Sequence, residues 1–158
     1  MSLRIRPMKK GEENAVAALI RQLPRDLGLK EEFKITGESL KAAHGLAEIA
    51  VAEDSGLMLG VCCWVMTYST ERALPGVYIC DLYVLGHARG RRIGEALLKG
   101  VMKLARKRGA GFIKLEVDID NEGGARFYER LGFKHKTDDR YYVLEPHDYT
   151  AMLTGDDT

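Results

Sequence analysis

The chain has 158 residues, of which 24 are Lys or Arg and 23 are Asp or Glu, so its formal net charge at pH 7 is +1. A chain of this length should form one domain that buries about two thirds of the surface of its unfolded state. The nearly balanced charge argues against a general nucleic-acid binder. No apolar signal region or membrane-length apolar run is present, so we expect a cytoplasmic protein without a membrane partner.

The first half of the chain predicts an edge strand, two helices and a hairpin. The segment 3–7 alternates apolar and charged residues as an edge strand does. The apolar positions of 16–23 recur at helical spacing, and this helix should end at Pro24. The other predicted elements are a loop at 25–35, a helix from the N-cap Thr36 through 43, and strands at 49–53 and 57–68 around a turn at 54–56.

A strand, a glycine-bearing loop and an amphipathic helix follow one another at the centre of the chain. The strand is predicted at 77–84, and the helix starts inside the loop that runs from His87 to Gly94. This order directs backbone N–H groups and the positive end of a helix dipole at one point, which suits a phosphate. The loop has neither G-x-x-x-x-G-K-[ST] nor G-x-G-x-x-G, so neither a nucleotide hydrolase nor a dinucleotide fold is indicated. Basic residues crowd the segment 89–108.

The second half predicts a strand at 112–117, a helix at 125–131, a strand that begins at Phe133, and a last strand at 141–144 before Pro146. The central helix should place the strand at 112–117 parallel to the one at 77–84. Strand alternation would put Glu116 and Asp118 on one face, and Leu115, Val117 and Ile119 on the other. We expect a frayed tail at 154–158.

Two motifs resemble those of the GNAT N-acetyltransferases. The stretch from Arg89 to Gly94 is similar to their acetyl-CoA pyrophosphate loop, [RQ]-x-x-G-x-[GA], with Arg92 where the middle glycine usually stands. The stretch from Asn121 to Phe133 resembles their late signature N-x-x-[AS]-x-x-[FL]-Y-x-x-x-G-F, with Tyr128 at the tyrosine. The resemblance implies an α/β fold with a central mixed, mostly antiparallel sheet. It also implies one parallel strand pair joined by a crossover helix, helices on both faces, and a single N-acetyltransferase domain over 1–153.

Within this superfamily the order of shorter matches is most similar to the diamine (spermidine/spermine) acetyltransferases. Those enzymes carry a Glu-Asp pair before a hydrophobic triplet, and the Glu helps to deprotonate the amine. Here the pair reads Cys80-Asp81. The family's base is therefore missing at its own position, which leaves Asp81, Glu116 and Asp118 as candidates.

The implied reaction is direct attack of a neutral primary amine on the thioester of acetyl-CoA. An alkylammonium is only about one part in a thousand neutral near pH 7, a deficit of roughly 4 kcal/mol, so the enzyme must supply a proton acceptor. Tyr128 is protonated at neutral pH and can return a proton to the departing thiolate. The family motif implies Tyr128 as one catalytic residue, and of the three candidate carboxylates we take Asp81, which keeps the family's aspartate position, as the other.

The resemblance implies a binding site for acetyl-CoA as co-substrate, and no metal. The cofactor-binding residues are predicted to be Leu82, Tyr83, Val84, Arg89, Gly90, Arg91, Arg92, Ile93, Gly94, Glu95, Asn121, Gly124 and Tyr128. The substrate-binding residues are predicted to be Asp26, Cys80 and Glu116, with Glu31, Glu32 and Glu38 adding negative charge that would attract a cation.

Three functions remain open. The favoured one is acetylation of a small amine, such as a diamine, a polyamine or a lysine-like compound. The alternatives are a protein or peptide N-acetyltransferase and a non-catalytic acyl-CoA-binding domain. The family resemblance suggests a homodimer, and the sequence does not identify the amine or the acyl-chain preference.

Overall fold

The computed structural model of the chain describes residues 2–155 and divides into two compact units, one ending at Asn121 and one starting at Glu122. The first unit contains β1 (Leu3–Pro7), α1 (Glu13–Ile20), α2 (Leu23–Asp26), α3 (Gly37–Ala42), β2 (Glu48–Asp54), β3 (Leu57–Ser69), β4 (Leu74–Val84), a 3₁₀ turn (Gly86–Ala88), α4 (Ile93–Arg106) and β5 (Ile113–Lys114). The second contains α5 (Glu122–Arg130) and α6 (Pro146–Thr154).

The strands of the first unit form one sheet in the order β1-β2-β3-β4-β5. Neighbouring strands are antiparallel except β4 and β5, which α4 connects and which pair in parallel. This mixed, mostly antiparallel sheet with one parallel pair confirms the predicted fold class.

Alternation along the strands gives the sheet two apolar faces. Val51 and Val61 are paired across β2 and β3 and lie in the buried cluster that also contains Ile20 of α1 and Leu40 of α3. The alternate positions face α4: a Cβ at Gly60 would lie 3.2 Å from the Cδ1 of Leu97. Helices therefore cover both faces, and each face of the sheet has its own core.

Several boundaries follow from local turn and capping chemistry. Thr36 and Ser39 form a capping box at the start of α3, with reciprocal side-chain-to-backbone hydrogen bonds of 3.0 and 2.9 Å. Ser55 and Gly56, at φ 53° and 82°, form the two-residue turn of the β2–β3 hairpin. Both features confirm the predictions for these segments.

The structure corrects the role expected of two prolines. Pro24 lies in the first turn of α2 and does not end the helical region there. Pro146, expected to follow a last strand, is the first residue of α6. A proline is well tolerated at the start of a helix because the first N–H groups have no intrahelical partner to lose.

The strand predicted at 112–117 is shorter than expected. Its pairing with β4 ends at Lys114, so the predicted sheet face of Glu116 and Asp118 does not form as a ladder. Beyond it, Asp118 accepts hydrogen bonds from the N–H groups of Asp120 and Asn121, both at 2.9 Å, and this local turn replaces strand pairing. Ile119, expected on the strand face opposite Glu116 and Asp118, is 89% exposed.

The strands predicted from Phe133 and at 141–144 are absent from the second unit, where residues 133–145 have no regular secondary structure. Aromatic and β-branched residues favour a strand only where a neighbouring strand satisfies the backbone. Of the predicted frayed tail, Thr154 is the last residue of α6 and residues 156–158 lie outside the described part of the chain.

Candidate active site

The carboxyl end of β4 carries a bulge beside the candidate base. Cys63 of β3 is paired with Asp81 and Trp64 with Ile79, so Cys80 is an extra residue without a counterpart on β3. A bulge of this kind changes the direction of the side chains that follow it. Asp81 and Tyr83 consequently share the face that α1 and α3 cover.

Asp81 has a strongly perturbed carboxyl group. Burial of the side chain raises its pKa from 3.8 to about 6, because a desolvated carboxylate is less stable than a desolvated carboxylic acid. No hydrogen bond or ion pair to this carboxylate is present within the described chain. Asp81 is therefore ionised at neutral pH, yet basic enough to take up a proton.

The two cysteines at the bulge differ in exposure. Cys80 is exposed and Cys63 is buried. A hydrogen bond from the Cys63 thiol lowers the pKa of Cys80, while that bond and burial raise the pKa of Cys63. Cys80 thus adjoins Asp81 at the position of the family's glutamate.

The loop between β4 and α4 has two residues in the left-handed region. Gly90 has φ +83° and Arg92, the N-cap of α4, has φ +58°. The first hydrogen bond of the helix runs from the N–H of Ala96 to the carbonyl of Arg92, at 3.1 Å. The N–H groups of Ile93 and Gly94 precede it and have no partner within the helix.

Two of the three arginines in this loop are bound to carboxylates from other elements. Arg89 lies 2.6 Å from Asp26 of α2, and Arg91 lies 2.7 Å from Asp54 at the end of β2. Arg92 makes no ion pair within residues 2–155. Its guanidinium is therefore the loop cation that remains available for an anionic ligand.

Asp26, predicted as a substrate-binding acid, is engaged by the protein itself. The hydroxyl of Tyr83 donates a hydrogen bond of 2.7 Å to its Oδ2, and the Nη2 of Arg89 donates another of 2.6 Å to the same atom. These two bonds, the Tyr83 bond first, lower the pKa of Asp26. Its negative charge is already compensated, and a role in binding the amine stays a prediction.

A solvent-open cavity of about 140 Å³ lies in the first unit, between α2 and the loop that follows it. Its lining contains carboxylates and cations that form no ion pairs with one another in the described structure. The lining residues are Arg21, Pro24, Arg25, Leu29, Lys30, Glu31, Glu32 and Phe33. Glu31 and Glu32 were predicted on the substrate side; the basic residues of the wall were not singled out, because nothing in their local pattern distinguishes them from a solvated loop.

The remaining predicted residues are distributed over both units. Glu116 is exposed on the segment after β5, and Asn121 donates its N–H to the carbonyl of Asp118 at 2.9 Å. In the second unit, Gly124 and Tyr128 lie on α5, and the Tyr128 ring meets Phe127 and Phe133 edge-on at centroid distances of 5.0 and 5.4 Å. The roles of these residues toward coenzyme and amine stay predictions.

The family of the chain follows from this loop and fold together with a direct comparison. Residues 15–133 match the model of the acetyltransferase (GNAT) family, so the chain belongs to that family and is an acetyltransferase. Within residues 2–155 no group of three or more His, Cys, Asp or Glu is placed to hold a metal ion. None of the described helices has the length and apolarity to span a membrane.

Three known proteins illustrate the relationship. The thialysine N-ε-acetyltransferase of Bos taurus is 31% identical over 146 residues, covering 85% of each chain. An uncharacterized N-acetyltransferase of Methanocaldococcus jannaschii is 35% identical over 75 residues, which are 48% of this chain and 32% of that one. An integron cassette protein from the mobile metagenome of V. cholerae has the same fold, with a TM-score of 0.80, 18% identity, and coverage of 98% and 99%.

Proposed function

We propose that this protein transfers the acetyl group of acetyl-CoA to a primary amine of a small molecule, by direct attack while both substrates are bound. The observation that carries the proposal is the loop 89–95. There, N–H groups without helical partners, the left-handed turn at Gly90 and the unpaired Arg92 meet at the N-terminus of α4. Backbone N–H groups, a helix dipole and one free cation suit a diphosphate.

The adjoining strand end suits the rest of the coenzyme. The backbone of Leu82, Tyr83 and Val84 would bind the pantetheine arm as an added strand. One of these N–H groups would polarise the thioester carbonyl, where negative charge develops during attack. Asn121 and Gly124, which match the late signature, complete the proposed coenzyme contacts.

Asp81 is the proposed proton acceptor. With a pKa of about 6 it is ionised at neutral pH, and it lies one residue before the strand end that would hold the thioester. A base is required because the ammonium form of the amine has no free electron pair for attack. Cys80 beside it and the exposed Glu116 are the proposed contacts to the amine.

Tyr128 is the proposed proton donor to the departing thiolate. Replacing Tyr128 by Phe keeps the ring packing but removes the donor. We therefore expect the activation free energy to rise by about 1.4 to 4 kcal/mol, so that kcat falls roughly tenfold to a thousandfold. Tyr149→Phe, the same change at an exposed tyrosine of α6, is the matched control. An unchanged kcat, with acetyl transfer shown to limit turnover, would remove Tyr128 from the mechanism.

The cavity between Arg21 and Phe33 is the proposed site for the part of the substrate remote from the nitrogen that Cys80 and Glu116 would contact. Its carboxylates suit an ammonium group, and its basic residues suit a carboxylate, so the wall accommodates a lysine-like compound as well as a diamine. The similarity to a thialysine acetyltransferase supports the same substrate class. A polyamine lacks the carboxylate and would use only part of this wall.

The test is release of free thiol from acetyl-CoA in the presence of lysine, cadaverine, spermidine or a lysine-containing peptide. Turnover with the small amines supports the proposal, and turnover with the peptide alone would favour a protein acetyltransferase. Binding of CoA without turnover on any amine would favour a non-catalytic acyl-CoA-binding domain. The observation that supports this alternative is Cys80, which stands at the position of the family's glutamate. On the basis of the family resemblance we also propose that the protein is a cytoplasmic homodimer. Light scattering would measure its molar mass and thus its oligomeric state.

A further inference from the structure

The carboxylate of Asp26 connects three parts of the first unit. Its Oδ2 accepts hydrogen bonds from the Tyr83 hydroxyl of β4 and from the Nη2 of Arg89, at 2.7 and 2.6 Å. The Nε of Arg89 donates in addition to the carbonyl of Val84, at 3.1 Å. One oxygen of α2 is thus bonded both to the strand end proposed for the pantetheine arm and to the first residue of the coenzyme loop.

One partner of this carboxylate is buried and the other is half exposed. Tyr83 is 2% exposed and belongs to the core cluster beneath α1, whereas the Arg89 side chain is 51% exposed. On the other side, Asp26 follows directly on Pro24 and Arg25, which line the cavity proposed for the amine. The side chain of Asp26 therefore links Arg89 to the chain segment that forms part of the cavity wall.

Binding of a phosphate does not require Arg89 to leave Asp26. A guanidinium has five N–H donors, and the two bonds to Asp26 and Val84 leave three of them for other acceptors. The ion pair and a phosphate contact can therefore coexist, and the ion pair fixes the orientation of the donors that remain.

We propose that Asp26 is a positioning residue that ties the coenzyme loop to the wall of the amine cavity, so that CoA and the amine each strengthen the binding of the other. This inference rests on the function proposed above. Coupling between two ligands is reciprocal, so it should be measurable from either side. Asp26 itself contacts neither ligand in this proposal and acts through Arg89 and α2.

The coenzyme side is tested by calorimetric titration of CoA into wild type, Asp26→Asn, Arg89→Gln and the double variant. We expect Asp26→Asn to weaken CoA binding about fivefold, the scale of a partly exposed ion pair, and to have little further effect once Arg89 is replaced. Asp26→Glu, which keeps the charge, should restore part of the affinity. Equal or tighter CoA binding by Asp26→Asn, or additive losses in the double variant, would overturn the proposal.

The amine side is tested by the KM for lysine or cadaverine at saturating acetyl-CoA. Asp26→Asn should raise this KM, whereas Asp54→Asn, which removes the other ion pair of the loop, should weaken only the coenzyme. Glu48→Gln removes an exposed ion pair with Arg108 and should change neither constant. Equal amine KM shifts in the Asp26 and Asp54 variants would refute coupling through α2. If the wild-type protein itself does not bind CoA, the proposed function is overturned, and the proposed coupling with it.

Discussion

The Asp81 carboxyl group is half-buried on the α1–α3 face of β4, and this partial burial raises its pKa to about 6. This pKa shift favours catalysis but lowers the stability of the folded protein at neutral pH. A carboxylate with this pKa is a better proton acceptor than an exposed aspartate, because its affinity for a proton is closer to the working pH. The same burial makes the ionised form unfavourable in the folded protein.

The rate of acetyl transfer should therefore fall as the pH is lowered through about 6, because protonated Asp81 accepts no proton. The measurement is the pH dependence of kcat under saturating substrates, compared with that of Asp81→Asn. We expect the variant to be slow and to lack the inflection near pH 6. An identical inflection in the variant would assign the base to another group.

The stability of Asp81→Asn provides the control for this experiment. A carboxyl group whose pKa rises on folding stabilises the protein below its unfolded pKa, and this contribution is lost as the pH rises through about 6. At pH 7.5 the variant should consequently unfold at a higher temperature than wild type, and at pH 4 the difference should shrink.

Arg92 has a backbone conformation that lowers the stability of the protein, while its side chain is proposed to bind CoA. Its φ of +58° lies in the left-handed region, which for a non-glycine residue costs about 1 kcal/mol or more. We expect Arg92→Gly to stabilise the ligand-free protein by about 1 kcal/mol in thermal unfolding, and to weaken CoA binding because the unpaired cation is lost. Lys103→Gly in the helical part of α4 is the control, and should destabilise by roughly 0.5–1 kcal/mol. A lower free energy of unfolding for Arg92→Gly than for wild type would contradict the proposed backbone strain at Arg92.

At the scale of elements, the site depends on how a strand, a loop and a helix are joined. α4 buries Leu97, Leu98 and Val101 against the sheet, which fixes its N-terminus beside the end of β4. The loop is held from two sides, by Asp26 of α2 and by Asp54 of β2. The direction of the loop N–H groups is therefore set by packing and ion pairs outside the loop.

Gly94 tests this arrangement at the start of α4. It lies inside the helix, so Gly94→Val is compatible with the backbone and should leave the fold largely intact. The new side chain would stand where the diphosphate is proposed to approach, and we expect CoA binding to weaken about tenfold or more. Gly86→Ala, where a Cβ meets open space, is the control in the same loop region. Equal CoA affinity in wild type and Gly94→Val would contradict the proposed cradle.

At the scale of the whole molecule, carboxylates pair with four of the eight basic residues of the segment 89–108. Arg89, Arg91, Lys99 and Arg108 pair with Asp26, Asp54, Glu95 and Glu48 respectively. Half of the cluster that stands out in the sequence is thus used within the protein, and of the residues without an ion pair in the described part of the chain only Arg92 lies in the loop.

A ligand that occupies this site should stabilise the folded protein through mass action. CoA at about a hundred times its dissociation constant contributes about 2.7 kcal/mol, which corresponds to an increase in Tm of roughly 5–10 °C for a chain of this size. Pantetheine, which lacks the diphosphate, should give a smaller shift at the same concentration. Equal shifts for the two compounds would show that the diphosphate contributes little, against the proposed role of the loop.

The sequence by itself determined the parts of this protein that depend on short stretches of chain. Helical spacing in 93–106, the capping residue Thr36, the Ser55-Gly56 turn and the two family motifs are readable because their physics acts within a few residues. The crossover from β4 to β5 also followed, since a strand, a helix and a strand in series predict parallel pairing.

The tertiary structure decided the features that depend on distant residues. Asp26 and Arg89 meet although they are 63 positions apart, and this contact compensates a carboxylate that the sequence assigned to the amine. The perturbed pKa of Asp81 comes from burial, which no local pattern displays. Likewise, the strands expected after Phe133 are not formed, and Pro24 and Pro146 each lie in the first turn of a helix. Pairing partners and the direction of the chain are properties of the folded molecule, whereas strand propensity and the presence of a proline are properties of the sequence.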